Sequence, residues 1–255
     1  MDPSNNSAPE RRFSNRVENY VRYRPSYPSE IPDRLAEVAG LTPDSIVADI
    51  GSGTGISTEL FLKFGCAVYG VEPNADMRGA AEHMLAGYPK FHSIDGKAQA
   101  TTLPDQSVDF IIAAQAFHWF ENAETRAEFS HIMKPNAKLG LLWNKRQLDT
   151  TPFLRDYEEI MTTYGSDYSR IRHENIDDER LAKFFIGPFD LHTFQHRTRL
   201  DFESLKGLAL SSSSSPLEGH PNHEPMMRRL QESHARHQID GSVEMIYTTK
   251  LYVGS

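Results

Sequence analysis

Residues 47–55 read VADIGSGTG, with Gly51, Gly53 and Gly55 directly behind a short apolar run. Glycines in that position let a backbone turn tightly and a ligand approach closely, as phosphate-binding turns between a strand and a helix do. A dinucleotide turn spaces its glycines G-x-G-x-x-G and seats pyrophosphate on the amides of the following helix. Here the third glycine comes one residue early, and Asp49 stands just ahead of the turn. A carboxylate there opposes a pyrophosphate and favours a cation. Glu72 lies 21 residues beyond Gly51, at the end of the next predicted strand, where an acid can hydrogen-bond a ribose diol. A ligand with a ribose, positive charge near the turn and no phosphate meets both demands, and S-adenosylmethionine is such a ligand. Two other readings remain: NAD, and a turn that only lets helix and sheet pack closely.

These residues need strands and helices to hold them. EIPDRLAEVAG reads as a helix with Pro32 in its first turn and Gly40 past its end, and SIVADI as a buried strand. Helix ISTELFLKFG, strand CAVYGVE, helix NADMRGAAEHMLAG capped by Asn74, and a strand near KFHSID follow. Then come strand SVDFIIAAQ, helix AETRAEFSHIMK and strand AKLGLLWN. Strands alternating with helices imply βαβ crossovers, so residues 40–145 read as an α/β, Rossmann-like, doubly wound core with a mostly parallel sheet. Beyond 146 the rhythm changes: TPFLRDYEEIMTTYG, ENIDDERLAKFF and PNHEPMMRRLQESHARHQ look helical, and DLHTFQHRTRLD and VEMIYTTKLYV look like an antiparallel pair of strands. LSSSSSP, residues 210–216, has the composition of a linker.

The chain has 255 residues and a formal net charge of −8, ample for one core and unfavourable to nucleic acid. Cys66 is the single cysteine, which excludes an intrachain disulfide and a cysteine-built zinc site and fits a reducing compartment. The 11 histidines show no H-E-x-x-H spacing, so no metal site is expected. There is no apolar run near ~18 residues, and the polar start has no signal-like apolar stretch. The expectation is a cytoplasmic protein with no membrane partner: a mobile tail over 1–12, then one domain over 13–255.

The sequence resembles the class I S-adenosylmethionine-dependent methyltransferases. VADIGSGTG matches their first motif, GVEPN their ribose motif, and LPDQSVDFIIAAQAFHWF the run through their fourth strand; YRPSYP and AQAFHWF point to the type 11 group that includes trans-aconitate methyltransferase. The resemblance implies a seven-stranded sheet of order 3-2-1-4-5-7-6, its last strand antiparallel, under a helical cap built from 13–28 and parts of 150–240. It implies S-adenosylmethionine as cofactor, with Asp49, Gly51 and Gly53 on the methionine side, Glu72 on the ribose hydroxyls, and Pro73 continuing that loop. Ala98 and Gln99 of GKAQATTLP would face adenine. In that loop Lys97 and Gln99 depart from the usual residues, and a glutamine can still accept from the adenine amino group. Gln115 and Ala116 would sit beside the methionine portion, and Tyr20 and Arg24 near its carboxylate. The serine run would then pack in the cap near the substrate.

Transfer of a methyl group from a sulfonium needs near-attack geometry and exclusion of water, not a covalent enzyme intermediate. The acceptor expected is a small molecule, with a carboxylate among the candidates. Tyr23, Tyr27, His118, Trp119, Trp143 and Asn144 are candidates for its pocket. Lys145 and Arg146 at the end of the same strand would suit an anion, and His118 would serve as a general base if the acceptor carries a proton. The rival readings are a cofactor-binding protein without turnover and an NAD-dependent oxidoreductase.

Overall fold

The computed structural model describes residues 17–166, 180, 181, 184, 185 and 187–255. The tail expected over 1–12 and most of the helix expected over 174–185 lie outside the described residues.

The first half alternates as the sequence pattern requires: α1 (Val17–Tyr23), α2 (Ile31–Ala39), β1 (Ile46–Ile50), α3 (Ile56–Phe64), β2 (Ala67–Val71), α4 (Ala75–Met84), β3 (Phe91–Ile94), β4 (Val108–Ala114), α5 (Ala123–Ile132) and β5 (Met133–Arg146). The second half adds α6 (Pro152–Tyr164), β6 (Phe189–Leu200), α7 (Phe202–Ser211), α8 (His223–His237) and β7 (Val243–Gly254). Side-chain caps start four of the helices: Asn74 accepts from Met77 N at 3.0 Å, Asn122 from Thr125 N at 2.8 Å, Thr151 from Leu154 N at 3.2 Å and Asp201 from Ser204 N at 2.8 Å.

All seven strands form one sheet of order β3-β2-β1-β4-β5-β7-β6. β1 to β5 run parallel, and β7 pairs antiparallel with both β5 and β6. Both faces are covered, so neighbouring residues of one strand enter opposite cores. Ala48, Ile111 and Leu141 pack on one side, while Val47, Ile112 and Leu142 pack on the other. A third core lies under the cap, where Leu154, Tyr157 and Ile160 of α6 meet Leu205 and Leu208 of α7, Leu230 of α8, and Met245 and Tyr247 of β7.

One open alternative closes and one expectation changes. The serine run is no linker: Ser211 closes α7, and Ser211, Ser214 and Ser215 are buried, with Ser211 Oγ donating to Leu208 O at 2.6 Å and Ser215 Oγ to Ala209 O. β5 also begins at Met133, earlier than the alternation in AKLGLLWN implied, because Met133 already pairs with Val108.

Candidate functional site

The glycine turn is built on left-handed backbone, with φ of 70° at Gly51, 57° at Gly53 and 87° at Gly55. At Gly51 space matters as well, since a Cβ would lie 2.7 Å from the Cβ of Ala116. The turn's amides are spent inside the protein. Gly51 N and Ser52 N donate to Val71 O at 2.9 and 3.2 Å, Gly55 N donates to Ser52 O at 2.9 Å, and Gly53 N donates to Glu72 Oε2 at 3.0 Å. Four amides of the turn itself are therefore engaged within the protein.

Glu72 stands just past β2. Its second oxygen accepts from Asn74 N at 2.8 Å, and burial pushes the carboxyl above its usual range against the pull of these two amides and Arg78. Asp49 is fully buried at the end of β1. Its Oδ2 accepts from the hydroxyls of Ser57 and Thr58, each at 2.7 Å, in the first turn of α3. Burial raises its pKa to about 6 despite those hydrogen bonds. Asp49 Oδ1 and Gln115 Oε1 are both buried acceptors with no hydrogen-bond partner among the described residues. What the site leaves open is acceptors, which a cationic or N–H-bearing ligand satisfies and a phosphate does not.

A cavity of about 180 Å³ opens at the carboxyl edge of β1, β2 and β4. Gly51, Gly53 and Glu72 form one wall, with Pro73 and Asn74 beside them; Lys97, Ala98 and Gln99 close the far end. Gln115, Ala116 and Trp119 form the opposite wall, and Tyr20 of α1 lies over it. Met77, Ala114 and Phe120 also line it and were not singled out from the sequence. Met77 lies three residues past the capping Asn74, and Ala114 ends β4; both positions follow from the elements already read, so the signal was there.

The remaining candidates lie elsewhere. Asp49 sits behind the turn and does not line the cavity, because its carboxylate is turned toward the α3 hydroxyls. Trp143 does not reach it either. It packs edge-on against Phe117 and Tyr252, with ring centroids 6.2 and 5.8 Å away, in the core on the opposite face from Asn144. His118 is half-buried beside the Trp119 ring, 4.7 Å between centroids, outside the cavity wall. Asn144 donates through Nδ2 to Ser26 O at 3.1 Å and accepts from Thr249 Oγ1 at 2.6 Å, while Gln115 Nε2 donates to Asn144 O at 3.1 Å. It ties the amino-terminal segment to the cavity wall. Tyr27 packs beside it against the α2 core, and its hydroxyl is held neutral by burial, then by Tyr20 and Asp49 nearby.

Arg24 follows α1, and its Nη2 donates to Ser211 O at 3.1 Å, with the guanidinium 5.0 Å from the Tyr20 ring centre. Tyr23 fills the notch above Gly207 of α7, where a Cβ would come 2.0 Å from its ring. Among the described residues no cluster of His, Cys, Asp and Glu fits a metal ion, and no helix is long and apolar enough to cross a membrane.

Residues 48–141 match a protein-family model described as a methyltransferase domain. The chain is 34% identical over 156 residues to an uncharacterized methyltransferase-like protein of Schizosaccharomyces pombe, covering 61% of this chain and 59% of that one. It is 34% identical over 153 residues to an uncharacterized methyltransferase of Mycobacterium tuberculosis, covering 60% of each. The chain thus spans about three fifths of these curated relatives. Its fold is similar to that of a solved protein of Anaeromyxobacter dehalogenans provisionally assigned as a type II methyltransferase, with TM-score 0.63, 18% identity, and 91% and 97% of the two chains covered. A Methanococcus maripaludis structure provisionally assigned as an S-adenosyl-L-methionine-dependent methyltransferase gives TM-score 0.57 at 18% identity, covering 75% and 91%. The fold is therefore the Rossmann-like one that these methyltransferases share.

Proposed function

We propose that this chain is an S-adenosylmethionine-dependent methyltransferase acting on a small molecule that carries a carboxylate, in a reducing, cytoplasmic setting and without a nucleic-acid partner. The observation that carries the reading is the polarity of the cavity. The amides of Gly51, Ser52, Gly53 and Gly55 are used internally, one buried acceptor in the cavity wall, Gln115 Oε1, remains without a partner among the described residues, and a second, Asp49 Oδ1, lies behind the turn. That is the pattern expected for a cationic nucleoside and the opposite of a pyrophosphate site, which disfavours NAD. The matched methyltransferase segment, which contains most of the cavity wall, and the shared fold support the same assignment. The lone Cys66 and the net charge of −8 support the setting and the absence of nucleic acid.

The cofactor supplies an activated methyl group on a positively charged sulfur. Glu72, fixed by Gly53 N and Asn74 N, would take the ribose hydroxyls, and Gln115 would offer Oε1 to the cationic end. Ala98 and Gln99 would flank the adenine. Tyr20, Trp119 and Phe120 supply the aromatic wall that excludes water. A carboxylate acceptor is already ionised at neutral pH and needs no base, so His118, outside the cavity wall, would not be required for proton removal. The test is incubation with S-adenosylmethionine and a set of small carboxylic acids, following release of S-adenosylhomocysteine. Product with a carboxylic acid supports the reading; turnover only with neutral amines or phenols overturns the acceptor assignment.

A further inference from the structure

The far end of the cavity is closed by a turn and not by a strand or helix. β3 ends at Ile94 and β4 begins at Val108, and between them the chain folds back through Lys97, Ala98 and Gln99. Lys97 N donates to Ala100 O at 3.1 Å and Ala100 N to Lys97 O at 2.9 Å, so Ala98 and Gln99 stand at the tip of a closed two-residue turn. The root of the turn is tight: a Cβ on Gly96 would lie 2.9 Å from Thr101 O and 3.0 Å from Val71 Cγ1. Ala98 is buried in the sheet core, whereas Gln99 and Ala100 are exposed, so packing fixes one side of the tip and leaves the other to be fixed by hydrogen bonds.

Those bonds come from α5. Thr101 is fully buried, and one oxygen of Glu128, Oε1, accepts from both its amide, at 2.8 Å, and its hydroxyl. Leu103 N donates to the same Thr101 hydroxyl at 3.3 Å, and Thr102 between them holds a left-handed φ of 65°, which a β-branched residue keeps only where its neighbours impose it. The Glu128 side chain is 16% exposed, with its second oxygen 3.5 Å from His131 Nδ1, so Oε1 is left to Thr101. Hydrogen bonds to a carboxylate are the stronger kind, and these two join a helix to the return of the turn. Glu128 itself does not line the cavity.

We propose that Glu128 is a positioning residue for the base end of the site: through Thr101 it sets where Ala98 and Gln99 stand, and so the recognition of the adenine 6-amino group, which a glutamine oxygen can accept from. This rests on the methyltransferase reading and deepens it. Glu128 touches neither cofactor nor acceptor, and its effect reaches the ligand only through the turn. A hydrogen bond at the tip depends steeply on distance and angle, so a small shift of Thr101 is enough to weaken it.

The experiment titrates the full chain with S-adenosylhomocysteine and with S-inosylhomocysteine, which carries a keto oxygen in place of the 6-amino group. The wild type is expected to prefer the adenosyl ligand tenfold or more. Because both bonds end on one oxygen, Glu128→Gln can still make them and should keep that ratio within twofold. Glu128→Asp, one methylene too short, should bring it below threefold by weakening the adenosyl ligand alone. Thr101→Val keeps the side-chain size and the amide bond but drops the hydroxyl, and should fall between. Equal weakening of both ligands by Glu128→Asp and Thr101→Val, with the ratio kept, overturns the proposal, since a merely structural contact behaves in that way. A wild type that binds both ligands equally also overturns it and leaves the methyltransferase reading standing. A wild type that does not bind S-adenosylhomocysteine defeats that reading, and this one with it.

Discussion

The Glu72 carboxylate accepts a hydrogen bond from the Gly53 amide at 3.0 Å, so the residue proposed to meet a ribose is also the residue that fastens the glycine turn to the end of β2. Binding and turn geometry are therefore linked through one side chain.

Glu72→Gln tests that link. The amide can accept from only one of the two backbone donors and presents its NH2 to the other. Loss of a charge-assisted hydrogen bond of about 1.5–3 kcal/mol corresponds to roughly 10- to 100-fold weaker S-adenosylmethionine binding. Calorimetric titration reads it, and an unchanged Kd would contradict the ribose role.

Gly51→Ala combines a left-handed φ of 70° with a Cβ 2.7 Å from Ala116, a side chain that cannot swing away. The strained backbone alone costs about 1–3 kcal/mol. The expected result is a lower melting temperature together with loss of cofactor binding. Gly79→Ala, where a Cβ meets nothing within 4 Å, is the control and should leave both intact.

Asp49 titrates at about 6 when folded and near 3.8 when unfolded. Between these values the native state binds the extra proton, so stability falls as pH rises from about 4 to 6 and stays lower above that, by on the order of 3 kcal/mol. Asp49→Asn should raise the melting temperature of the ligand-free chain at pH 7.5 and give no gain at pH 4, as read by thermal melts. Ligand binding should show the reverse. A cation favours the ionised carboxylate, so S-adenosylmethionine affinity should rise with pH through about 6 in the wild type and more weakly in Asp49→Asn, where among the described residues only Glu72 retains a raised carboxyl pKa.

Much of this was legible in the sequence because the chemistry and the folding signal coincide. A strand that ends in a glycine turn, followed by a helix and a second strand ending in an acid, fixes Gly51, Gly53 and Glu72 on one edge. The helix over 202–211 was not legible. FESLKGLALS carries Gly207 and runs into serines, so propensity argues against it; it is held by packing, with Asp201 capping it and Tyr23 filling the space Gly207 leaves. Trp143 and Asn144 were read as one patch although adjacent strand residues face opposite ways, which sends Trp143 into the core and Asn144 to the amino-terminal segment. Asp49 was read as a contact to the ligand. Its Oδ2 is engaged by α3, a partner too local in space and too ordinary in type for the sequence to mark.

Gly207 carries a further prediction. Gly207→Ala forces the Tyr23 ring away and with it α1, which brings Tyr20 over the cavity. Cofactor affinity should fall several fold, and Tyr23→Ala in the same chain should recover part of the loss by making room, a coupling that a double-mutant cycle measures. Strict additivity of the two changes would show that α1 is not positioned through this contact.

The central claim is that the cavity takes a cationic nucleoside and no pyrophosphate. Titrating the full chain calorimetrically with S-adenosylmethionine and, separately, with NAD at pH 7.5 decides it. The structure predicts saturable binding of S-adenosylmethionine, weakened by Glu72→Gln, and no heat from NAD. Binding of NAD with none of S-adenosylmethionine would contradict the account.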